Sequence, residues 1–380
     1  MISQFFCTSL WFASNAILGD IVDDSAIQAG FLAHLTSAVQ LGFILGTLTF
    51  AVLNISDRYS PSKVFFFSAL LAALFNLAIS LDGIPHTGLL TFRVLTGFFL
   101  AGIYPVGMKI ASDHYQQGLG KSLGFLVGAL VLGTALPHLL RSISAQLPWK
   151  YVIFSTSVLS VIGGAAMLLL VPDGPYRKAS PTLRLNAFLS GFKNKSFRSA
   201  AFGYFGHMWE LYAFWAFVPV MLTSFNFLHP GSNLKVSLYS FLIIGSGGLA
   251  CVAGGFLSQK YSTRKLAGIF LSLSGMCCLL LPFLLLYASA QLMLIFLFFW
   301  GLVVIADSPL FSTLVAQNAA PESRGASLTI VNCIGFSITI LSIQLLSALL
   351  LSSNSPYVYM ILAFGPLLGL LALFRKKPSS

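Results

Sequence analysis

The sequence has 380 residues, of which 57% are hydrophobic and only 8% charged, with a formal net charge of +11. A soluble domain carries about 25% charged residues, so this chain cannot cover a water-facing surface, and a soluble globular fold is excluded. A membrane β-barrel is excluded as well, because barrel strands alternate apolar and polar residues and the runs at 65–81, 152–171 and 341–351 do not.

Apolar stretches of about 20 residues recur instead, each long enough to cross a ~30 Å hydrocarbon core at ~1.5 Å per helical residue. Twelve spans are predicted, at 2–22, 30–53, 63–82, 88–112, 121–141, 150–171, 198–223, 236–258, 265–287, 290–316, 325–350 and 356–374. The fold class is therefore all-α, with twelve transmembrane helices.

Span one follows Met1 without a basic stretch, so it is expected to stay in the membrane rather than be cleaved as a signal peptide. It carries Trp11, Ser14 and Asn15, with Asp20 near its outer end. Asn15, like Gln40 in span two and Asn332 and Gln344 in span eleven, can bond a substrate or bridge helices. The break after span two reads Asp57-Arg58-Tyr59-Ser60-Pro61-Ser62-Lys63. In span four, Gly97, Ala101 and Gly102 permit close helix approach. Arg93 in that span either snorkels outward or faces a cavity as a proton-relay or anion contact. Lys109 and Asp113, at its far end, read first as a surface ion pair and second as gate residues. In span five, His138 and Arg141 can attract an anion or anchor the helix at the interface.

The largest hydrophilic break is 172–197. It is read as a cytoplasmic linker that divides the chain into a first six-helix bundle, 1–171, and a second, 198–380. Span seven then carries Glu210 near its centre, with His207 three residues earlier on the same helix face. An intramembrane acid is a functional hypothesis by default. Burial favours the neutral form of a carboxyl and a nearby cation favours the ionised form, so Glu210 with His207 is expected to load and unload a proton. Trp209, Tyr212 and Trp215 either line a binding cavity or pack against neighbours and lipid. In span ten Asp307 is the second deep acid, two residues before Pro309, which removes a backbone donor and frees a carbonyl.

With an even number of spans, both termini share one side. Placing them in the cytoplasm puts 17 of the 21 basic residues on that side, as the positive-inside rule requires. The positive charge then belongs to the membrane topology, and no nucleic-acid partner is expected. The location expected is the inner or plasma membrane. The five cysteines all fall in apolar spans and show neither disulfide nor metal spacing. The phosphate-binding loop of nucleotide-driven pumps and the HExxH and GxSxG patterns are missing. Neither an enzyme nor a cofactor is expected. The partners expected are a small-molecule substrate, protons and the lipid bilayer, with the chain as a monomer.

The halves repeat. Asp57–Lys63 and Gln259–Lys265 lie at an offset of 202, Gly97 and Pro105 precede Gly301 and Pro309 by 204, and Gly120-Lys121-Ser122-Leu123 precedes Gly325-Ala326-Ser327-Leu328 by 205. Two parallel repeats are the arrangement expected when a site lies between them. With these motifs the chain resembles the major facilitator superfamily over its whole length. Asp57, Arg58 and Lys63 match that family's loop signature, although Leu53 and Ser60 stand where glycines are usual. The resemblance implies that Asp57 and Arg58 belong to a cytoplasmic latch, with Asp57 meeting the start of span eleven. The stretch from Arg93 to Pro105 is similar to the family's fourth helix. Gly124 and Gly133 fit the antiporter pattern, but Pro137 and His138 replace its closing Gly-Pro.

The function expected is proton-coupled secondary transport of a small organic solute by alternating access. Arg93, His138 and Arg141 point to an anion, and the incomplete antiporter pattern favours uptake. The alternatives are an exporter of the same fold and a transporter-like receptor without turnover.

Overall fold

The computed structural model describes residues 1–20, 30–115, 119–177, 191–320, 324–353 and 355–374. The predicted end of span one, residues 178–190 of the predicted linker and the basic residues at 375–377 lie outside these. Among the described residues there is no strand, and eleven helices are long and apolar enough to cross a membrane.

Span one departs from expectation. It opens with two short helices, Ile2–Thr8 and Ala13–Ala16, joined by a turn at 9–12, and is helical again at 18–20. Side-chain hydroxyls compete for the backbone there. Thr8 Oγ1 donates to the Gln4 carbonyl at 2.8 Å and Ser9 Oγ to the Phe6 carbonyl at 2.6 Å. Spans four and ten are also broken, each just before a proline. Span four runs His86–Leu100 and Tyr104–His114, and span ten runs Ala290–Ala306 and Ser308–Asn318. The second segments start and end at the same offset, 204, as the proline landmarks. Span twelve opens with a 3-10 segment, Pro356–Ala363, before the helix Phe364–Phe374.

Spans two, Phe31–Val52, and four pack closely because of two reciprocal glycines. Gly42 faces the Val94 carbonyl and Phe98 amide, and Gly97 faces the Val39 carbonyl and Phe43 amide. Spans eight, Val236–Lys260, and ten repeat this contact through Gly247 and Gly301. Span three, Pro61–Ala78, packs on span six, Lys150–Leu170, and span nine, Thr263–Tyr287, on span twelve. The two six-span halves meet along two seams. Span five, Leu119–Ile143, lies on span eight, and span two lies on span eleven, Arg324–Ser353. At the first seam Gly128 and Gly248 each face the other's carbonyl, with a Cβ at either position 3.1 Å from that oxygen. The fold is thus a twelve-span helical membrane protein in two related halves.

The break after span two turns at Asn54, whose φ of 50° is left-handed. Asparagine tolerates that region better than most residues, and so it does the turning beside Leu53. Span seven is longer than predicted, Lys195–Leu228, because Asn194 caps it by accepting from the Ser196 amide at 2.9 Å.

A side chain at Gly97 would overlap the span-two backbone rather than a movable side chain. Gly97→Leu should therefore cost more than the ~1–3 kcal/mol of ordinary overpacking and abolish the monodisperse peak in fluorescence-detected size exclusion. Gly255→Leu, where a Cβ meets nothing within 4 Å, should elute and melt as wild type. A wild-type melting profile for Gly97→Leu would contradict this packing.

Candidate functional site

A cavity of about 360 Å³ lies between the halves. Its mouth is at the basic end of the molecule, where exposed Thr313, Gln317 and Arg324 line it. Its inner end is closed by buried Tyr212, Trp215 and Phe336. These three belong to an aromatic plug. Trp11 of span one packs on Phe43 at 4.7 Å between ring centroids, on Phe336 at 5.6 Å and on Tyr212 at 5.9 Å. Beyond the plug, the halves are joined by hydrogen bonds between spans two and eleven. Thr339 Oγ1 donates to Gln40 Oε1 at 2.7 Å, and Gln344 Nε2 donates to Ser37 Oγ at 2.8 Å. The plug and these bonds shut the end opposite the mouth.

Three of the expected cavity residues, Tyr212, Trp215 and Asn332, line this cavity. The others lie elsewhere. Trp209 turns away, packing on Phe364 and donating from Nε1 to the Ile361 carbonyl at 3.1 Å, so it bridges spans seven and twelve. Trp11 sits within the plug, Gln40 bridges the halves, and Asn15 donates to Thr36 Oγ1 at 2.8 Å. Tyr104, Tyr204, Met108, Ser308 and Ser312 also line the cavity. Sequence reasoning missed them because no charge or motif marks them. The break before Pro105 and Pro309 was the available signal, since Tyr104 and Ser308 open the helices that follow.

Arg93 neither snorkels nor faces the cavity. It is fully buried, and its guanidinium donates to the Leu10 carbonyl at 3.0 Å and to the Trp11 carbonyl. Those carbonyls lie in the turn of span one, where no helical amide reaches them. In an apolar medium a main-chain carbonyl must find a donor, and Arg93 supplies it. Arg141 is also engaged, with Asp20 at 2.5 Å and with the Ser144, Ala145 and Leu147 carbonyls. His138 is buried away from the cavity. The three basic residues that pointed to an anionic solute therefore do not line the cavity.

His207 does not pair with Glu210, although they share a helix. Its Nδ1 lies 2.8 Å from Asp307 Oδ1 of span ten, with both side chains at most 1% exposed. The approach falls short of an aligned hydrogen bond, and Asp307 Oδ2 and His207 Nε2 have no hydrogen-bond partner among the described residues. Asp307 occupies the break of span ten. Pro309 has no amide to offer the Ile305 carbonyl four residues back, which instead meets the Asp307 amide and the Cys251 thiol, the latter at 3.7 Å. The pair is one residue layer behind the cavity wall, since Ile305 and Ser308 beside Asp307, and Tyr204 and Met208 beside His207, are lining residues. The offset of 204 pairs Asp307 with Ile103, so this pair has no counterpart in the first half.

Glu210 is held differently. Trp300 Nε1 donates to Oε1 at 2.6 Å and Ser274 Oγ to Oε2 at 2.9 Å. Both carboxyl oxygens are occupied inside the second half, and Glu210 does not line the cavity.

The expected gate residues form a network within the first half. Asp57 lies 3.0 Å from Lys109, which lies 3.3 Å from Asp113. Arg177 pairs with Asp173 at 2.9 Å and donates to the Asp57 and Tyr59 carbonyls. Asp57 thus meets the end of span four, not the start of span eleven. This fits a cavity open at that end. Arg58 and Lys63 are exposed beside this network.

Replacing Arg93 by methionine leaves two buried carbonyls without donors, at ~1–3 kcal/mol each. Arg93→Met should melt well below wild type in detergent, and Arg93→Lys should recover part of the loss. Equal melting of Arg93→Met and wild type would contradict the assignment. The family model described as Major Facilitator Superfamily matches residues 1–342 and, separately, 200–380. No curated protein matches the chain at a significant level.

Proposed function

The chain belongs to the major facilitator superfamily, and from that premise we propose that this multi-pass membrane transporter moves a small organic solute together with protons. The observation that carries the coupling is the His207–Asp307 contact, two ionisable groups buried at 2.8 Å with no other hydrogen-bond partner among the described residues. Such a pair has a large stake in its own protonation. Adding a proton weakens the attraction that holds spans seven and ten together, and removing one of two buried partners is costly. Because Asp307 sits in the break of span ten, a change in the pair reaches the cavity wall directly.

Coupling is assigned to Asp307 with His207 ahead of Glu210. The two donors on Glu210 hold it as a fixed packing group, while Asp307 Oδ2 has none among the described residues. With the basic end in the cytoplasm, the conformation is inward-open, and the aromatic plug with the Gln40–Thr339 and Ser37–Gln344 bonds forms the outer gate. The network of Asp57, Lys109, Asp113 and Arg177 would close against the second half in the opposite state. Uptake is the direction proposed, by symport down an inward proton gradient. Both termini and the 172–197 segment are cytoplasmic in this reading.

A thermal-stabilisation screen of small organic solutes identifies a ligand, and proteoliposomes with an imposed proton gradient then measure its flux. Asp307→Asn should lose about tenfold or more of its gradient-driven accumulation, equivalent to ~1.4 kcal/mol or more of coupling, and keep exchange at equal pH. Glu210→Gln should melt lower but retain its response to the gradient. If Asp307→Asn accumulates solute like wild type, the coupling assignment fails. If no stabilising solute moves under any gradient, the protein is a receptor-like relative rather than a carrier.

A further inference from the structure

We infer that the solute is an uncharged molecule with an aromatic ring, taken by the inner end of the cavity; this rests on the transport reading above. The inner cavity is rich in rings. Tyr104, Tyr204, Tyr212, Trp215 and Phe336 line it, alongside the thioethers of Met108 and Met208. Ring faces and edges of this kind favour a planar aromatic guest, and the Met sulfurs adapt to its outline.

Among the described residues no carboxylate lines the cavity, and Arg324 is the one charged lining residue. Arg324 stands at the mouth. It lies twelve residues before Phe336 on the same helix, about 18 Å away at ~1.5 Å per residue. A small solute seated against the plug cannot reach it. The other charged groups near the inner end are already engaged or set apart. Arg93 is bound to carbonyls, Glu210 to Trp300 and Ser274, and Asp307 lies behind Ile305 and Ser308 with His207 against it. A net charge carried to the inner end would be desolvated without a counter-charge, which is the most expensive way to bury it.

Neutral hydrogen-bonding groups are present where the rings are. The Asn332 amide projects from span eleven one turn from Phe336, and Ser308 opens the second segment of span ten. These match a hydroxyl, amide or ring nitrogen on the guest. The cavity volume of about 360 Å³ is near the lower end of the range for small-molecule sites, which fits one or two fused rings rather than a long amphiphile.

The test uses purified full-length protein in nanodiscs and three probes sharing one ring system: 2-(indol-3-yl)ethanol, which is neutral; indole-3-acetate, an anion; and tryptamine, a cation. Binding is read by calorimetry and by thermal shift. The neutral probe should bind about tenfold or more tighter than either ion, and Asn332→Leu should weaken it by a similar factor. An ion binding as tightly as the alcohol overturns the inference, and so does failure of all three to bind at millimolar concentration. The two readings fail separately. A probe that binds but is not moved in proteoliposomes defeats transport and leaves this site standing, whereas a charged probe that is both bound and moved defeats only the neutral-solute assignment.

Discussion

The structure depends on one constraint: a backbone carbonyl inside a bilayer must find a donor, because no water is there to supply one. Unbroken helices without an internal proline meet it internally. Spans one, four and ten do not, and each break has a local solution. In span one the guanidinium of Arg93 takes the Leu10 and Trp11 carbonyls. In span ten the Cys251 thiol and the Asp307 amide share the carbonyl that Pro309 leaves free. In span four a tight turn at 101–103 suffices, with the Gly102 and Ile103 amides bonding three residues back.

These breaks position the plug and the ionisable pair. The turn of span one presents Trp11 to the plug, where it meets Phe43, Tyr212 and Phe336 from three other spans. The break of span ten presents Asp307 to His207 and Ser308 to the cavity. The two halves repeat the break but not the chemistry, since Ile103 stands where the second half has Asp307. The second half thus carries the ionisable pair and most of the cavity wall, while the first half supplies the charged loop network around Asp57. Gly128 and Gly248 hold the seam between them at close range.

The twelve spans, the repeat and the proline landmarks were legible in the sequence because a membrane leaves strong periodic signals in length and hydropathy. The break in span one was not, since its causes are three-dimensional: hydroxyls that compete for carbonyls and an arginine 83 residues away. That His207 and Asp307 are ionisable residues inside apolar spans was legible, but their pairing was not. Helical spacing put His207 beside Glu210, and only the packing of span seven on span ten shows that it turns to Asp307. Arg93 illustrates the opposite case. Its burial cost marked it as significant, yet its role is to satisfy backbone, and no sequence pattern distinguishes that from binding an anion. The cavity lining was half visible, because Tyr212, Trp215 and Asn332 are polar or aromatic in otherwise aliphatic spans, whereas Tyr104 and Ser308 are marked only by the helix breaks they follow.

Proton coupling as proposed requires that Asp307, and not Glu210, give up and regain a proton. Infrared difference spectroscopy across a pH jump on the protein in lipid reports this directly, through the carbonyl stretch of a protonated carboxyl. A titrating carboxyl band should disappear in Asp307→Asn and persist in Glu210→Gln. A band that persists in Asp307→Asn and vanishes in Glu210→Gln would contradict it.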